Sequence, residues 1–182
     1  MEPFEEQNSP TDLELKRLDP SHASDYRTLM LEAFHTSPEA FTSTFEERAS
    51  EPLSFWQDRL QMSEDVPCKI FGAIADHALV GVAGLQFHQR KQTAHKAKLF
   101  GMYVKPANRG AGVGRKLVET VLSAAYIKSR IRQVQLTVTE GNDSAVALYQ
   151  SCGFEVFGRE SDAIRVGERS YAKIHMARFL SR

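Results

Sequence analysis

The sequence lacks any long hydrophobic run. No window of its 182 residues approaches the roughly 18 consecutive apolar residues of a membrane-spanning helix, so no membrane association is expected. Residues 1–6 are partly acidic where a secretion signal would be basic. Cysteine is nearly absent, and the spacing of Cys68 and Cys152 fits neither a disulfide framework nor a metal site. These absences favour a cytoplasmic protein without a metal.

The sequence also carries no net charge, with 23 basic and 23 acidic side chains. This balance argues against a nucleic-acid-binding protein, which normally has a concentrated basic surface. The charges are nevertheless uneven, because residues 1–65 hold 15 acidic and 5 basic side chains while residues 66–182 hold 8 and 18. The basic part suits a polyanionic ligand. The acidic part is explained either by a site for a cationic ligand or by a tail and solvated helix faces.

The most informative segment is a glycine-rich turn between a strand pattern and a helix pattern. A strand is predicted from Lys96 to Val104 and stops at Pro106, and the helix pattern starts at Val113. Where the two patterns meet, every second residue is a glycine: Gly110, Gly112 and Gly114. The same segment contains three cations, Arg109, Arg115 and Lys116. Free backbone N–H groups at the positive end of a helix dipole bind anions. Cations in a first helical turn are unfavourable beside the positive end of the dipole, and a bound anion would offset this cost. The turn is therefore predicted to hold a phosphate.

The spacing of the glycines excludes two common phosphate-binding motifs. A P-loop requires Gly-Lys followed by Ser or Thr, and Gly114 is followed by Arg115. A dinucleotide fingerprint requires a third glycine where Arg115 stands. An ordinary strand–turn–helix corner, with glycines that serve only the turn, remains an alternative.

A second segment has its own signature. Val134, Leu136 and Val138 alternate with polar residues, which predicts a half-buried strand. A short helical stretch follows and ends at a glycine; its marked positions are Asn142, Ala145, Leu148, Tyr149, Gly153 and Phe154.

The two segments, in this order and at this distance, resemble the signatures of the GCN5-related N-acetyltransferases (GNAT family). The order of predicted elements agrees: a strand, two helices, three strands, a helix, a strand, a helix and two strands. The resemblance implies an α/β (α+β) fold with a mixed, mostly antiparallel sheet of about seven strands. Helices would cover both faces, and the sheet would be splayed between strands 4 and 5. We expect a flexible tail at residues 1–12 and a single domain at residues 13–182.

The same resemblance implies acetyl-CoA as cosubstrate and a set of site residues. The expected cofactor-binding residues are Met102, Tyr103, Val104, Arg109, Gly110, Ala111, Gly112, Val113, Gly114, Arg115, Asn142 and Tyr149. Backbone atoms of Met102 and Val104 would hold the pantetheine arm, and a backbone N–H near Met102 or Tyr103 would meet the oxyanion. Tyr149 is the expected catalytic residue, which protonates or hydrogen-bonds the leaving sulfur. A core aromatic at Tyr149 and a helix N-cap at Asn142 are the structural alternatives.

The implied activity is acetyl transfer to a primary amine by direct attack, with a small-molecule amine favoured over a peptide amino group. No general base is assigned, because the fourth strand contains no glutamate; candidates are Glu32, Glu140, His95 and His175, besides water. A non-catalytic acyl-CoA-binding or sensor module is the alternative function. A homodimer is possible.

Overall fold

The computed structural model describes residues 12–181. The expected flexible tail at residues 1–12 lies outside the described residues except for Asp12. Seven strands are described: β1 Leu13–Arg17, β2 Cys68–Ala75, β3 Ala78–Phe87, β4 Lys96–Val104, β5 Gln133–Thr139, β6 Glu155–Val166 and β7 Arg169–Phe179. The helices are α1 Ala23–Thr36, α2 Phe45–Ala49, α3 Leu53–Asp58, α4 Val113–Ile127 and α5 Asp143–Ser151.

The seven strands form one sheet in the order β1-β2-β3-β4-β5-β7-β6. Every neighbouring pair is antiparallel except β4 and β5, which run parallel. That parallel pair joins only residues 96–98 to residues 133–135. Beyond those residues the two strands separate, so backbone groups on their facing edges need other partners. The predicted fold, including the splay between strands 4 and 5, is confirmed.

A bulge in β4 lies beside this opening. Gly84 faces Phe100 and Val82 faces Tyr103, so two residues of β4, Gly101 and Met102, oppose one residue of β3. Gly101 adopts a φ of 59°, which suits glycine. Because a bulge bends its strand and re-aims the adjoining groups, it sets the course of β4 along the opening.

The two faces of the sheet carry separate hydrophobic cores. One core packs α4 and α5 against the sheet, and the other packs α1 and Trp56 of α3 against the opposite face. The buried positions of α1 and α4 follow the apolar periodicity of their sequences. Val134, Leu136 and Val138 of β5 are buried as predicted.

Two elements differ from the sequence prediction. The sequence pattern predicts a helix from Leu53 to Met62, but α3 ends at Asp58, where the Leu60 N–H closes a tighter turn onto the Gln57 carbonyl. The pattern also predicts a strand at Glu155 to Gly158, whereas β6 covers 12 residues. Most side chains of β6 are exposed, so no alternation of apolar residues marks it, and its pairing with β7 defines its length.

Candidate active site

A cleft of about 710 Å³ occupies the opening between β4 and β5. It is bordered on one side by residues 98–104 of β4 and on the other by residues 136–139 of β5. Its lining continues to the glycine loop before α4 and to residues of α1 and α3. Elements from both halves of the chain therefore meet around one cavity.

The glycine loop ends at the amino terminus of α4. Gly112 is the N-cap of that helix, with a φ of 79° and no side-chain cap. The first-turn N–H groups of an α-helix have no acceptor within the helix. The loop also contains Gly110, at the same φ, and both glycines line the cleft. The backbone donors of the first turn therefore remain available at the cleft, as the sequence predicted for an anion site.

The two arginines of the glycine loop differ in how they are held. The Arg109 Nε donates to the Val104 carbonyl at 2.9 Å, and the Arg109 Cζ lies 5.5 Å from the centroid of the Tyr103 ring. Arg115 is exposed, lies 3.7 Å from Glu119 one helical turn later, and donates to the Ser151 carbonyl at 3.5 Å. Arg109 is thereby held against β4, while the contacts of Arg115 are longer and lie at the surface.

Tyr149 of α5 is both a buried core aromatic and a residue of the cleft lining. Its ring is 8% exposed, packs edge-on to Phe154 and also borders the cleft. Its hydroxyl lies 3.4 Å from the Met102 sulfur, which is a weak acceptor. Burial, with a smaller contribution from Cys152, raises the pKa of the Tyr149 hydroxyl well above its usual value. The hydroxyl therefore stays protonated near neutral pH and is available as a donor.

Asn142 is a helix cap that also borders the cleft. Its Oδ1 accepts from the Ala145 N–H at 3.2 Å, so the structural alternative for this residue is observed. The expected cofactor-binding residues Met102, Tyr103, Val104, Arg109, Gly110, Gly112, Gly114, Arg115, Asn142 and Tyr149 all line the cleft. Ala111 and Val113 belong to the same loop but are not part of the lining.

The four candidate bases lie outside the cleft lining. Glu140 is paired with Arg159, and His175 lies 3.0 Å from Glu160. His95 precedes β4 at the far end from the opening. Glu32 of α1 is different, because its carboxylate accepts from the hydroxyl of a residue that lines the cleft.

That residue is Tyr103. Its hydroxyl donates to Glu32 Oε1 at 2.9 Å and lies 3.3 Å from the Thr36 hydroxyl. Burial and the neighbouring Glu32 raise the pKa of the Tyr103 hydroxyl, although the Thr36 hydrogen bond opposes them. The contact joins α1 to β4 across 71 positions of sequence, so no local pattern indicates it.

The cleft end beneath α1 and α3 is basic. We call it the arginine end and define it by Arg48, Phe55, Trp56 and Arg59, all of which line the cleft. Glu39 is the single acidic residue of the lining among the described residues. The acidic amino-terminal part of the sequence therefore does not produce an acidic site here, and the interpretation as solvated surface is favoured.

Lys173 of β7 connects the loop after α1 to the sheet. Its ammonium donates to the Glu39 carbonyl at 3.0 Å, the Ala40 carbonyl at 3.2 Å and the Thr139 hydroxyl at 2.7 Å. Thr139 also donates to the Glu39 carbonyl. Lys173 is only 6% exposed, and burial lowers its pKa. Sequence reasoning missed this lysine because two of its three partners precede it by more than 130 positions and the third by 34.

A family model for the Acetyltransferase (GNAT) family matches residues 28–154, which contain most of the elements around the cleft. The chain belongs to the GNAT family. The prediction from the two sequence signatures is thus confirmed at the level of this acyltransferase family.

Individual relatives agree with GNAT membership. The mycothiol acetyltransferase of Thermobispora bispora is 30% identical over 149 residues, which are 80% of this chain and 47% of that protein. The L-amino acid N-acetyltransferase AaaT of Escherichia coli is 28% identical over 149 residues, covering 81% of this chain and 89% of that protein. The chain therefore matches about half the length of the first relative and most of the second.

A solved structure agrees with the GNAT fold. The protein yncA of Salmonella typhimurium, solved with its cofactor acetyl-CoA, superimposes with a TM-score of 0.77 at 17% identity. The superposition covers 94% of this chain and 96% of that one. Within residues 12–181, no helix has the length and apolarity to cross a membrane, and no group of His, Cys, Asp or Glu side chains is arranged to hold a metal.

Proposed function

We propose that this GNAT protein is an acetyl-CoA-dependent N-acetyltransferase that acts on a primary amine, with a small-molecule amine as the favoured acceptor. The observation that carries the proposal is the position of the uncapped start of α4 at one end of the opening between β4 and β5. A polyanionic cosubstrate with an extended arm fits this arrangement, because donors for its phosphates and unpaired strand edges for its arm lie in one cavity.

The chain's own groups suggest how acetyl-CoA is held. The backbone N–H groups of Gly112, Val113 and Gly114, with the side chain of Arg115, would bind the pyrophosphate. The edge of β4 at Met102 and Val104 would pair with the pantetheine arm, as an added strand does. A backbone N–H at Met102 or Tyr103 would then donate to the acetyl oxygen as negative charge develops on it.

The reaction requires a neutral amine to attack the thioester carbonyl. A C–N bond forms, the C–S bond breaks, the amine loses one proton, and the sulfur leaves as a thiolate that takes a proton from solvent. Tyr149 would donate a hydrogen bond to the leaving sulfur. Its raised pKa favours hydrogen bonding over complete proton transfer, because a buried tyrosinate beside a thiol is the less stable combination.

Glu32 is favoured over the other three candidate bases. It is the one that contacts the cleft wall, through the Tyr103 hydroxyl. The amine proton would pass to the Tyr103 oxygen while the Tyr103 proton passes to Glu32, which leaves the tyrosine unchanged. Glu140 is paired with Arg159 and His175 is hydrogen-bonded to Glu160, both outside the cleft lining.

Two observations support a small acceptor. The cleft, at about 710 Å³, must hold the reactive arm of the cosubstrate as well as the acceptor. The Escherichia coli relative, which this chain matches over most of its length, is by name an L-amino acid N-acetyltransferase. We further propose a cytoplasmic location, and a homodimer remains a prediction.

Thermal melting with acetyl-CoA, CoA, ATP and NADP, each in excess, tests the cosubstrate. A ligand present at 100 times its Kd adds about 2.7 kcal/mol to the free energy of unfolding. We expect a higher Tm with acetyl-CoA and CoA only, followed by CoA thiol release when amines are added. A shift without thiol release from any amine would favour the acyl-CoA-binding module, and a larger shift with ATP or NADP would refute both functions.

A further inference from the structure

Arg59, at the arginine end of the cleft, is a cation without an acidic partner. It directly follows α3, is half-buried, and makes no ion pair within the described part of the chain. Its Cζ lies 5.5 Å from the centroid of the Phe55 ring and 5.9 Å from that of Phe100. Aromatic faces attract a guanidinium, but they supply no hydrogen-bond acceptors for its planar N–H groups. The Tyr26 hydroxyl lies close enough to Arg59 to interact with its guanidinium, and no carboxylate pairs with that guanidinium within residues 12–181.

A second cation shares the same aromatic ring. The Arg48 Cζ lies 5.0 Å from the centroid of the Phe55 ring. Arg48 is more engaged than Arg59, because it donates to the Ser43 hydroxyl at 2.8 Å and lies 3.8 Å from Glu51. Two guanidinium groups beside one ring repel each other, and an anion between or near them would relieve that repulsion.

A buried donor at the same place also lacks a partner. Trp56 is 2% exposed and lines the cleft, and its indole N–H has no hydrogen-bond acceptor among the described residues. Trp56 lies three positions before Arg59, a spacing that places side chains on one side of a helical turn. An unsatisfied buried donor is uncommon in a folded protein, but this indole nitrogen has no exposed surface and is therefore not open to a ligand in the cleft.

The rest of this cleft end is apolar. Its lining includes several large hydrophobic side chains: Tyr26, Met30, Phe34 and Phe41. Tyr26 packs edge-on to Trp56, with ring centroids 5.5 Å apart. A ligand that suits this end therefore combines an acidic group for the arginines with an apolar portion for these side chains.

We propose that the arginine end binds the carboxylate of the acceptor, so that the acceptor is an amino acid with an apolar side chain. This inference rests on the proposed N-acetyltransferase function and specifies its substrate class. Arg59 contacts the carboxylate, and Arg48 contributes long-range attraction. A cationic amine without a carboxylate would face two arginines with no compensating charge, so polyamines are disfavoured.

Matched substrate pairs test the carboxylate. We would measure CoA thiol release with L-phenylalanine against 2-phenylethylamine, and with L-leucine against isoamylamine. Hydrogen bonds to charged groups predict a kcat/KM about 10- to 100-fold higher for each amino acid than for its carboxylate-free partner. Equal or greater kcat/KM for the carboxylate-free amines, in a protein that releases thiol, would overturn this inference and leave the proposed function intact.

Arg59→Gln tests the contact itself. We expect the KM for L-phenylalanine to rise about 10- to 100-fold, while the constants for 2-phenylethylamine change by less than about threefold. Arg59→Lys would restore part of the selectivity. Arg90→Gln, at an exposed arginine in the loop before β4, removes the same charge away from the cleft and is expected to leave both substrates unaffected. A loss shared equally by the two substrates in Arg59→Gln would contradict the assignment.

A binding measurement avoids any dependence on turnover. 3-Phenylpropionate carries the carboxylate and the apolar group but no amine. We expect it to raise the Tm of the CoA-saturated protein, and to raise that of the Arg59→Gln variant much less. No shift with the unaltered protein, when CoA itself gives one, would reject the carboxylate site. No shift with CoA or acetyl-CoA and no thiol release would instead reject the proposed function.

Discussion

At the scale of single residues, Tyr149 is the clearest test of the chemistry. Its hydroxyl contacts only the Met102 sulfur among the described residues, so Tyr149→Phe removes one weak hydrogen bond. We expect the Tm and the Kd for CoA to change little, because the ring and its packing against Phe154 remain. We expect kcat to fall about 10- to 1,000-fold, because the leaving sulfur loses its donor. Steady-state kinetics with isothermal titration of CoA would separate the two effects, and an unchanged kcat would refute the role.

Gly112 provides a second residue-scale prediction. A Cβ at this position would contact nothing within 4 Å, but its φ of 79° is unfavourable for an L side chain. Gly112→Ala should therefore lower the free energy of unfolding by about 1–2 kcal/mol and weaken CoA binding. Gly141→Ala is the matched control, because Gly141 also has a positive φ and open space but does not line the cleft. If both variants weakened CoA binding equally, the loop would have no special part in it.

At the scale of elements, the sequence predicted the helices and strands whose buried face is marked by regularly spaced apolar residues. The predicted β4 has the bounds that the structure gives, and the apolar faces of α1 and α4 are the buried ones. The glycine loop and Tyr149 were found because each belongs to a local pattern. Arg59 and Lys173 were not, since their surroundings are assembled from segments far apart in sequence. The pairing of Glu32 with Tyr103 could not be predicted for the same reason.

The hairpin of β6 and β7 gives an element-scale prediction about pH. Asp162 has a φ of 52° and accepts from both Arg165 and Ser170. The Arg165 hydrogen bond, then that of Ser170, lowers the pKa of Asp162 to about 2 from 3.8. The folded state therefore favours the ionised carboxylate, and this stabilisation is complete well above pH 3.8 and is lost as the pH falls through about 2.

Asp162→Asn should consequently be less stable than the unaltered protein at pH 6 and equally stable near pH 2. Asparagine tolerates the positive φ, so the backbone is preserved. Asp76→Asn is the control, because Asp76 is an exposed turn residue with a similar φ of 48°. Urea unfolding at a series of pH values, with hydrogen exchange of β6 and β7 amides, measures the difference. A constant difference from pH 2 to pH 6 would contradict the assignment to this carboxylate.

At the scale of the whole molecule, the cleft lies between the β4 side and the β5 side of the sheet, and its width depends on the distance between these two sides. Beyond their short paired stretch, β4 and β5 do not support each other. Lys173 and Thr139 hold the loop after α1 to β5 and β7, and both residues line the cleft. This contact therefore couples global stability to the shape of the cleft.

Lys173→Met tests that coupling, because methionine keeps the length but has no donors. The Ala40 carbonyl and the Thr139 hydroxyl would lose a donor, which should lower the free energy of unfolding by about 1–3 kcal/mol. The KM for the amine should rise more than the Kd for CoA, since the lost contact lies away from the glycine loop. Lys16→Met, at a half-buried lysine paired with the exposed Glu14, should change stability by less than about 1 kcal/mol. Greater stability of Lys173→Met would show instead that desolvation of the buried ammonium outweighs its three hydrogen bonds.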